Sequence, residues 1–115
     1  MSNIRFSGVM PALVTPFDEQ GHVNKKAVSD LMNWHFSCGI KGFYICGSTG
    51  EGPTLMRSTR MEMAEIAVET AKNRGVVIDH IGAPNSTDTI ELVKHATKIG
   101  VDGISSLAPT YLFNY

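Results

Sequence analysis

The sequence predicts an α/β fold of parallel strands alternating with helices. It is read as the N-terminal half, about three and a half βα units, of a TIM-type eightfold β/α barrel. Three observations carry this. Short apolar runs recur near residues 8, 42, 76 and 103, a pitch of about 30 residues that matches one βα unit. Each of the first three runs is followed by a polar loop and then by apolar residues at helical spacing. Gly39-Ile40-Lys41-Gly42-Phe43 is echoed by Gly100-Val101-Asp102-Gly103-Ile104, each time where a helix should hand over to a strand.

Residues 1–115 are expected to form a single incomplete domain. The first run, Gly8 to Thr15, is nearly continuous and ends at Pro16, as expected of a strand covered on both faces. The turn Asp18-Glu19-Gln20-Gly21 leads into a helix with Ala27, Val28, Leu31, Met32 and His35 on one face, Asn24 as its cap and Gly39 as its end. Gly42 to Cys46 is the second strand. The loop Gly47-Ser48-Thr49-Gly50-Glu51-Gly52 follows, and then a helix signalled by the capping box Thr59 and Glu62. The third unit runs from Val76 to Ile81, through the loop 82–85, to a helix capped at Ser86 and faced by Ile90, Val93, Ala96 and Ile99. Gly103 to Leu107 is the fourth strand.

Four parallel strands could also make a small open sheet. Neither a Gly-x-Gly-x-x-Gly after the first strand nor a Gly-Lys-Ser/Thr loop is present, which removes the two commonest reasons for an open sheet at this length and favours the half barrel.

Composition narrows the function. A net charge of −1 and a pI near 6.4 leave no basic excess for nucleic acid. No apolar stretch approaches the ~20 residues needed to cross a bilayer, and no leader pattern opens the chain; membrane association is not expected and the cytoplasm is the default location. Cys38 and Cys46 fit neither a disulfide framework nor a zinc pattern and read as buried thiols. His22, His35, His80 and His95 lack metal-ligand spacing, so no metal is expected. The methionines and Trp34 read as core filler.

The strongest chemical signal is Gly47-Ser48-Thr49-Gly50-Glu51 at the carboxyl end of the second strand, where parallel α/β folds build their sites. Its glycines let amides converge and its two hydroxyls add donors, which suits a small carboxylate. A turn that merely needs small residues is the competing reading. Glu51 is expected to anchor the loop by accepting backbone bonds, with a plain helix-approach charge as the competing reading. Tyr111, two residues past Pro109, would stand at the same rim as a proton relay, or as an amphipathic ring with its hydroxyl in water.

The segments Gly8 to Phe17, Gly42 to Glu51, His80-Ile81-Gly82-Ala83 and Pro109-Thr110-Tyr111 resemble successive segments of the N-acetylneuraminate lyase and dihydrodipicolinate synthase superfamily of class I pyruvate aldolases. The resemblance covers the whole chain. It implies an eightfold barrel, usually a tetramer built as a dimer of dimers, that binds pyruvate as an imine on a sixth-strand lysine, with no other cofactor. In that picture Ser48 and Thr49, with Gly47, match the positions that hold the pyruvate carboxylate. Ser48 also matches the hydroxyl that passes protons between tyrosines, Tyr111 the tyrosine that reaches a neighbouring subunit's site, and Ala12 a small residue of the pocket wall. The substrates that the resemblance implies are pyruvate or a 2-oxo acid sugar.

Ser48, His80-Ile81-Gly82 and Val9 to Leu13 resemble sialic acid lyases more than the synthases, so cleavage of sialic acid to pyruvate and N-acetylmannosamine is the first expectation. The synthase reaction of pyruvate with aspartate semialdehyde is the alternative. Thr110 and Leu112 depart from the aromatic residues common around the tyrosine, which keeps a third sugar-acid specificity open. Lys25, Lys26, Lys41, Lys72, Lys94 and Lys98 all fall in helices or helix-to-strand loops, so none matches the imine-forming lysine. The 115-residue chain alone is therefore expected to be inactive and, with unpaired sheet edges, unstable or self-associating. A non-catalytic half-barrel remnant is the reading from another class.

Overall fold

The computed structural model describes residues 6–108. Helix α1 (Lys25–Ser37) leads to strand β1 (Gly42–Ile45). A 3-10 turn at Gly52–Thr54 precedes α2 (Arg57–Ala71), and β2 (Val76–His80), α3 (Ser86–Ile99) and β3 (Gly103–Ser105) complete the order. The strands form one parallel sheet in the order β1-β2-β3, with Tyr44 opposite Ile78 and His80 opposite Ser105.

The caps explain where the helices begin and end. The Asn24 side chain accepts from the Ala27 amide at 3.0 Å and starts α1. Gly39 and Gly100, both with φ above 80°, take the left-handed step out of α1 and α3 that a side chain would strain. Two start signals resolve differently from expectation. α3 is capped by Asn85, which accepts from the Asp88 amide at 2.8 Å, rather than by Ser86. The Thr59–Glu62 box does not form, because α2 already begins at Arg57 behind an extended Met56. The buried stripe Arg60, Met63, Ala64, Ala67 and Ala71 sets the helix in register earlier than the polar pair would.

The first run is not a strand but a single parallel bridge, Ala12 to Tyr44. The Leu13 amide donates to the Tyr44 carbonyl at 2.8 Å and the Tyr44 amide to that of Pro11 at 3.0 Å. Pro11 and Pro16 lack the amides that a longer ladder would use. The run also alternates, with Leu13 and Thr15 buried but Val9 and Val14 exposed.

The main core lies between the helices and one face of the sheet: Val28, Met32, Phe43, Ile45, Met63, Ala64 and Val77 are buried. Phe43 meets the rings of His35 and Phe36 edge-on. Tyr44 and Ile78, in the alternate register, are only half-buried. Helix cover on one face is what a barrel wall shows, whereas an open doubly wound sheet is covered on both.

Several side chains depart from expectation. Trp34 is 61% exposed, two residues beyond Met32 and so on the far side of α1. Met56 is exposed, as is the Cys38 thiol at the end of α1; Cys46 is buried as read. In α3 the buried positions are Leu92 and Ala96, while Ile90 faces solvent. No described helix is long and apolar enough to cross a membrane.

Candidate functional site

The site begins where β1 stops. Cys46 takes φ 57° and Glu51 φ 60°, and between them the chain folds into a closed loop. The Glu51 amide donates to the Ser48 carbonyl and the Gly52 amide to that of Gly47, both at 3.0 Å. Space alone disfavours a side chain at Gly47, Gly50 and Gly52. A β-carbon on Gly47 would lie 2.5 Å from the Tyr44 ring, and one on Gly52 would lie 1.7 Å from the Cys46 carbonyl oxygen. From the other side the buried Thr15 hydroxyl donates to the Gly50 carbonyl at 2.7 Å.

Ser48 and Thr49 stand exposed at the tip of this loop, and Gly47 is buried at its base. Ala12, the bridge partner of Tyr44, lies beside the loop's parent strand on the same face, because paired residues of parallel strands point the same way. Tyr111 lies outside the described residues. Glu51 does not anchor the loop through its carboxylate as expected; it is exposed and contributes its backbone, whose carbonyl accepts from the Thr54 hydroxyl at 2.8 Å. The turn's internal bonds leave two hydroxyls exposed at its tip, an arrangement suited to a small carboxylate.

Below the loop, the inner face of the sheet carries a polar group. Tyr44 donates to the Ser105 hydroxyl across two strands at 3.0 Å, and its ring lies 6.3 Å from that of His80. His80 is buried. Burial first, and then the Arg60 cation, lower its tendency to protonate.

Behind the sheet sits a second polar group. Arg60 is 3% exposed and donates to the carbonyls of Gly82 at 2.8 Å and His80 at 2.5 Å, which fixes the turn after β2. Burial pushes the Cys46 thiol up to about 12, with the nearby Asp79 adding to the shift. Such a thiol is not a nucleophile. Burial likewise raises the Asp79 carboxyl to about 7, against the pull of Arg60.

Thr15, Tyr44, Arg60 and Asp79 were not singled out from sequence. Arg60 shares the helical spacing of Met63, Ala64 and Ala67, and a charged residue on an apolar stripe is a usable signal. The six lysines of residues 6–108 lie on helices or at helix-to-strand joins, away from this rim as expected. Among the described residues no group of three or more His, Cys, Asp or Glu side chains could hold a metal.

The profile of the Dihydrodipicolinate synthetase family matches residues 5–114. The 4-hydroxy-tetrahydrodipicolinate synthase of Clostridium novyi is 40% identical over 106 residues, covering 92% of this chain and 36% of that protein. The synthase of Bartonella quintana is 36% identical over 104 residues, with 90% and 35% covered. Among solved structures, the N-acetylneuraminate lyase of Proteus mirabilis is 31% identical with a TM-score of 0.88, covering 95% of this chain and 37% of that one. A prophage protein of the dihydrodipicolinic acid synthase family from E. coli K12, in complex with pyruvate, is 31% identical with a TM-score of 0.89, with 96% and 37% covered. The chain thus spans about a third of the length of the relatives it matches, less than the half expected from its repeat count. It belongs to the dihydrodipicolinate synthetase family, as a partial barrel of that fold.

Proposed function

We propose that this chain is the N-terminal third of a pyruvate-using class I aldolase and that its branch is the synthase, which condenses pyruvate with aspartate semialdehyde. The loop from Gly47 to Gly52 carries the reading, because its glycines and Thr15 lock Ser48 and Thr49 into a rigid pair of donors at a strand end. In this reading both hydroxyls bind the pyruvate carboxylate, Ser48 also passes a proton to and from Tyr111, and Ala12 keeps the adjoining wall small. The imine forms on a lysine that lies outside residues 1–115, and the working protein is a homotetramer. The uncovered apolar side chains Val9, Val14, Ile104 and Leu107 are the surface that the rest of such a barrel would bury.

The synthase reading displaces the lyase as first choice because the relatives at 36% and 40% identity are synthases. Sialic acid cleavage is the second reading, favoured by Ser48 and His80. The test is an assay of the protein translated from the whole reading frame, with pyruvate plus aspartate semialdehyde and, separately, with N-acetylneuraminate. The proposal expects turnover of the first and a Ser48→Ala variant with a raised pyruvate KM. Turnover of N-acetylneuraminate alone establishes the second reading, and turnover of neither refutes both.

A further inference from the structure

His80 joins the two strand ends that carry the site. Its Nδ1 lies 3.2 Å from the Cys46 carbonyl oxygen, at the base of the Gly47–Gly52 loop, and its Nε2 lies 3.3 Å from the Leu107 amide nitrogen just past β3. A backbone amide can only donate and a carbonyl can only accept, so both contacts demand the same tautomer: proton on Nδ1, lone pair on Nε2. Arg60 Nη2 also lies near Nδ1, at 3.4 Å, while giving an N–H to the His80 carbonyl at 2.5 Å. The Cys46 carbonyl is the nearer partner of Nδ1, and together with the Leu107 amide on Nε2 it selects this tautomer. A β-carbon on Gly82 would come within 3.0 Å of Nε2, so the imidazole edge uses space that a side chain at that position would take.

We propose that His80 is a positioning residue, a clasp whose Nδ1–H holds the base of the Ser48–Thr49 loop while its Nε2 holds the chain at Leu107, just past β3. The inference rests on the pyruvate reading above and adds to it a residue that touches no substrate but sets the spacing of the groups that do. Leu107 is four residues before Tyr111 and Cys46 two before Ser48, so an error at either anchor passes into the serine–tyrosine relay. A displacement of ~1 Å in such a relay can cost about a hundredfold in rate.

The two halves of the clasp can be separated. In the protein from the whole reading frame, His80→Asn keeps an amide donor near the Nδ1 position and loses the Nε2 acceptor; His80→Gln can offer an oxygen near Nε2 and loses the donor. The expectation is that His80→Ala raises the pyruvate KM and lowers kcat, each by about tenfold. Asn should restore KM more than kcat, and Gln kcat more than KM. A 15N spectrum, assigned by loss of the signal in His80→Asn, should show Nδ1 protonated and Nε2 bare. Parallel losses of kcat and KM in all three variants, tracking thermal stability, would overturn the clasp, and so would a ring protonated at Nε2. A wild-type protein that fails to bind pyruvate would refute the functional reading instead, and the tautomer measurement would still decide the geometry.

Discussion

The two faces of one small sheet are built on opposite rules. The outer face, under α1 and α2, is closed around Phe43, Ile45 and Val77. The inner face carries directional bonds, Tyr44 to the Ser105 hydroxyl and His80 to the Cys46 carbonyl, and it adjoins the Ser48–Thr49 loop. Because side chains alternate along a strand, β1 serves both faces within four residues. Adjacent residues therefore answer to different requirements, volume on one side and geometry on the other.

The contrast makes graded predictions for the protein that carries this chain. Phe43→Ala empties the outer face and should cost about 3–5 kcal/mol in denaturant unfolding, with the pyruvate KM of the remaining folded protein unchanged. A large KM change would mean that the two faces are not independent.

Asp79 is the exception on the outer face and a sharper probe. Its carboxyl is raised from 3.8 to about 7 by burial. The folded state thus holds a proton that the unfolded state releases, and the stability this gives is fully present below about pH 4 and lost as pH rises through 7. Asp79→Asn should therefore be more stable than wild type above pH 7, by on the order of a few kcal/mol, and the gain should vanish in acid. Melting curves from pH 4 to 8 that stay parallel would contradict that account.

Gly52→Ala attacks the loop. With 1.7 Å between the new carbon and the Cys46 carbonyl oxygen, the backbone must move, at about 1–3 kcal/mol. Pyruvate affinity should fall further than global stability implies. The smallest effect is expected of Thr15→Val, which keeps shape and removes the 2.7 Å bond to the Gly50 carbonyl. About 1 kcal/mol of stability and a modest rise in KM should follow, and an unchanged KM would show that the loop holds itself.

The outer face was largely legible in the sequence, because helical spacing at Val28 and Met32, the cap at Asn24 and the glycines after α1 and α3 are local signals. The first strand was overread, since an apolar run says nothing of the amides that Pro11 and Pro16 withhold. Helix starts slipped by one residue at α3 and three at α2 for a related reason: Ser86 and Thr59 have the right chemistry, but the buried stripe decides the register. The inner face was legible only in part. The position of the Gly47-Ser48-Thr49 loop at a strand end was readable from its composition, whereas Thr15, Tyr44 and Arg60 act through partners between 20 and 61 residues away, which no window of sequence brings together. His80 showed no metal-ligand spacing, and the role proposed for it depends on the Cys46 carbonyl and the Leu107 amide, which no sequence window brings together.

The most direct test of the central claim is borohydride trapping with pyruvate, followed by peptide mapping. The account predicts a single trapped lysine in the protein from the whole reading frame, at a position outside residues 1–115, and no adduct on the 115-residue chain. An adduct on Lys25, Lys26, Lys41, Lys72, Lys94 or Lys98 would contradict it.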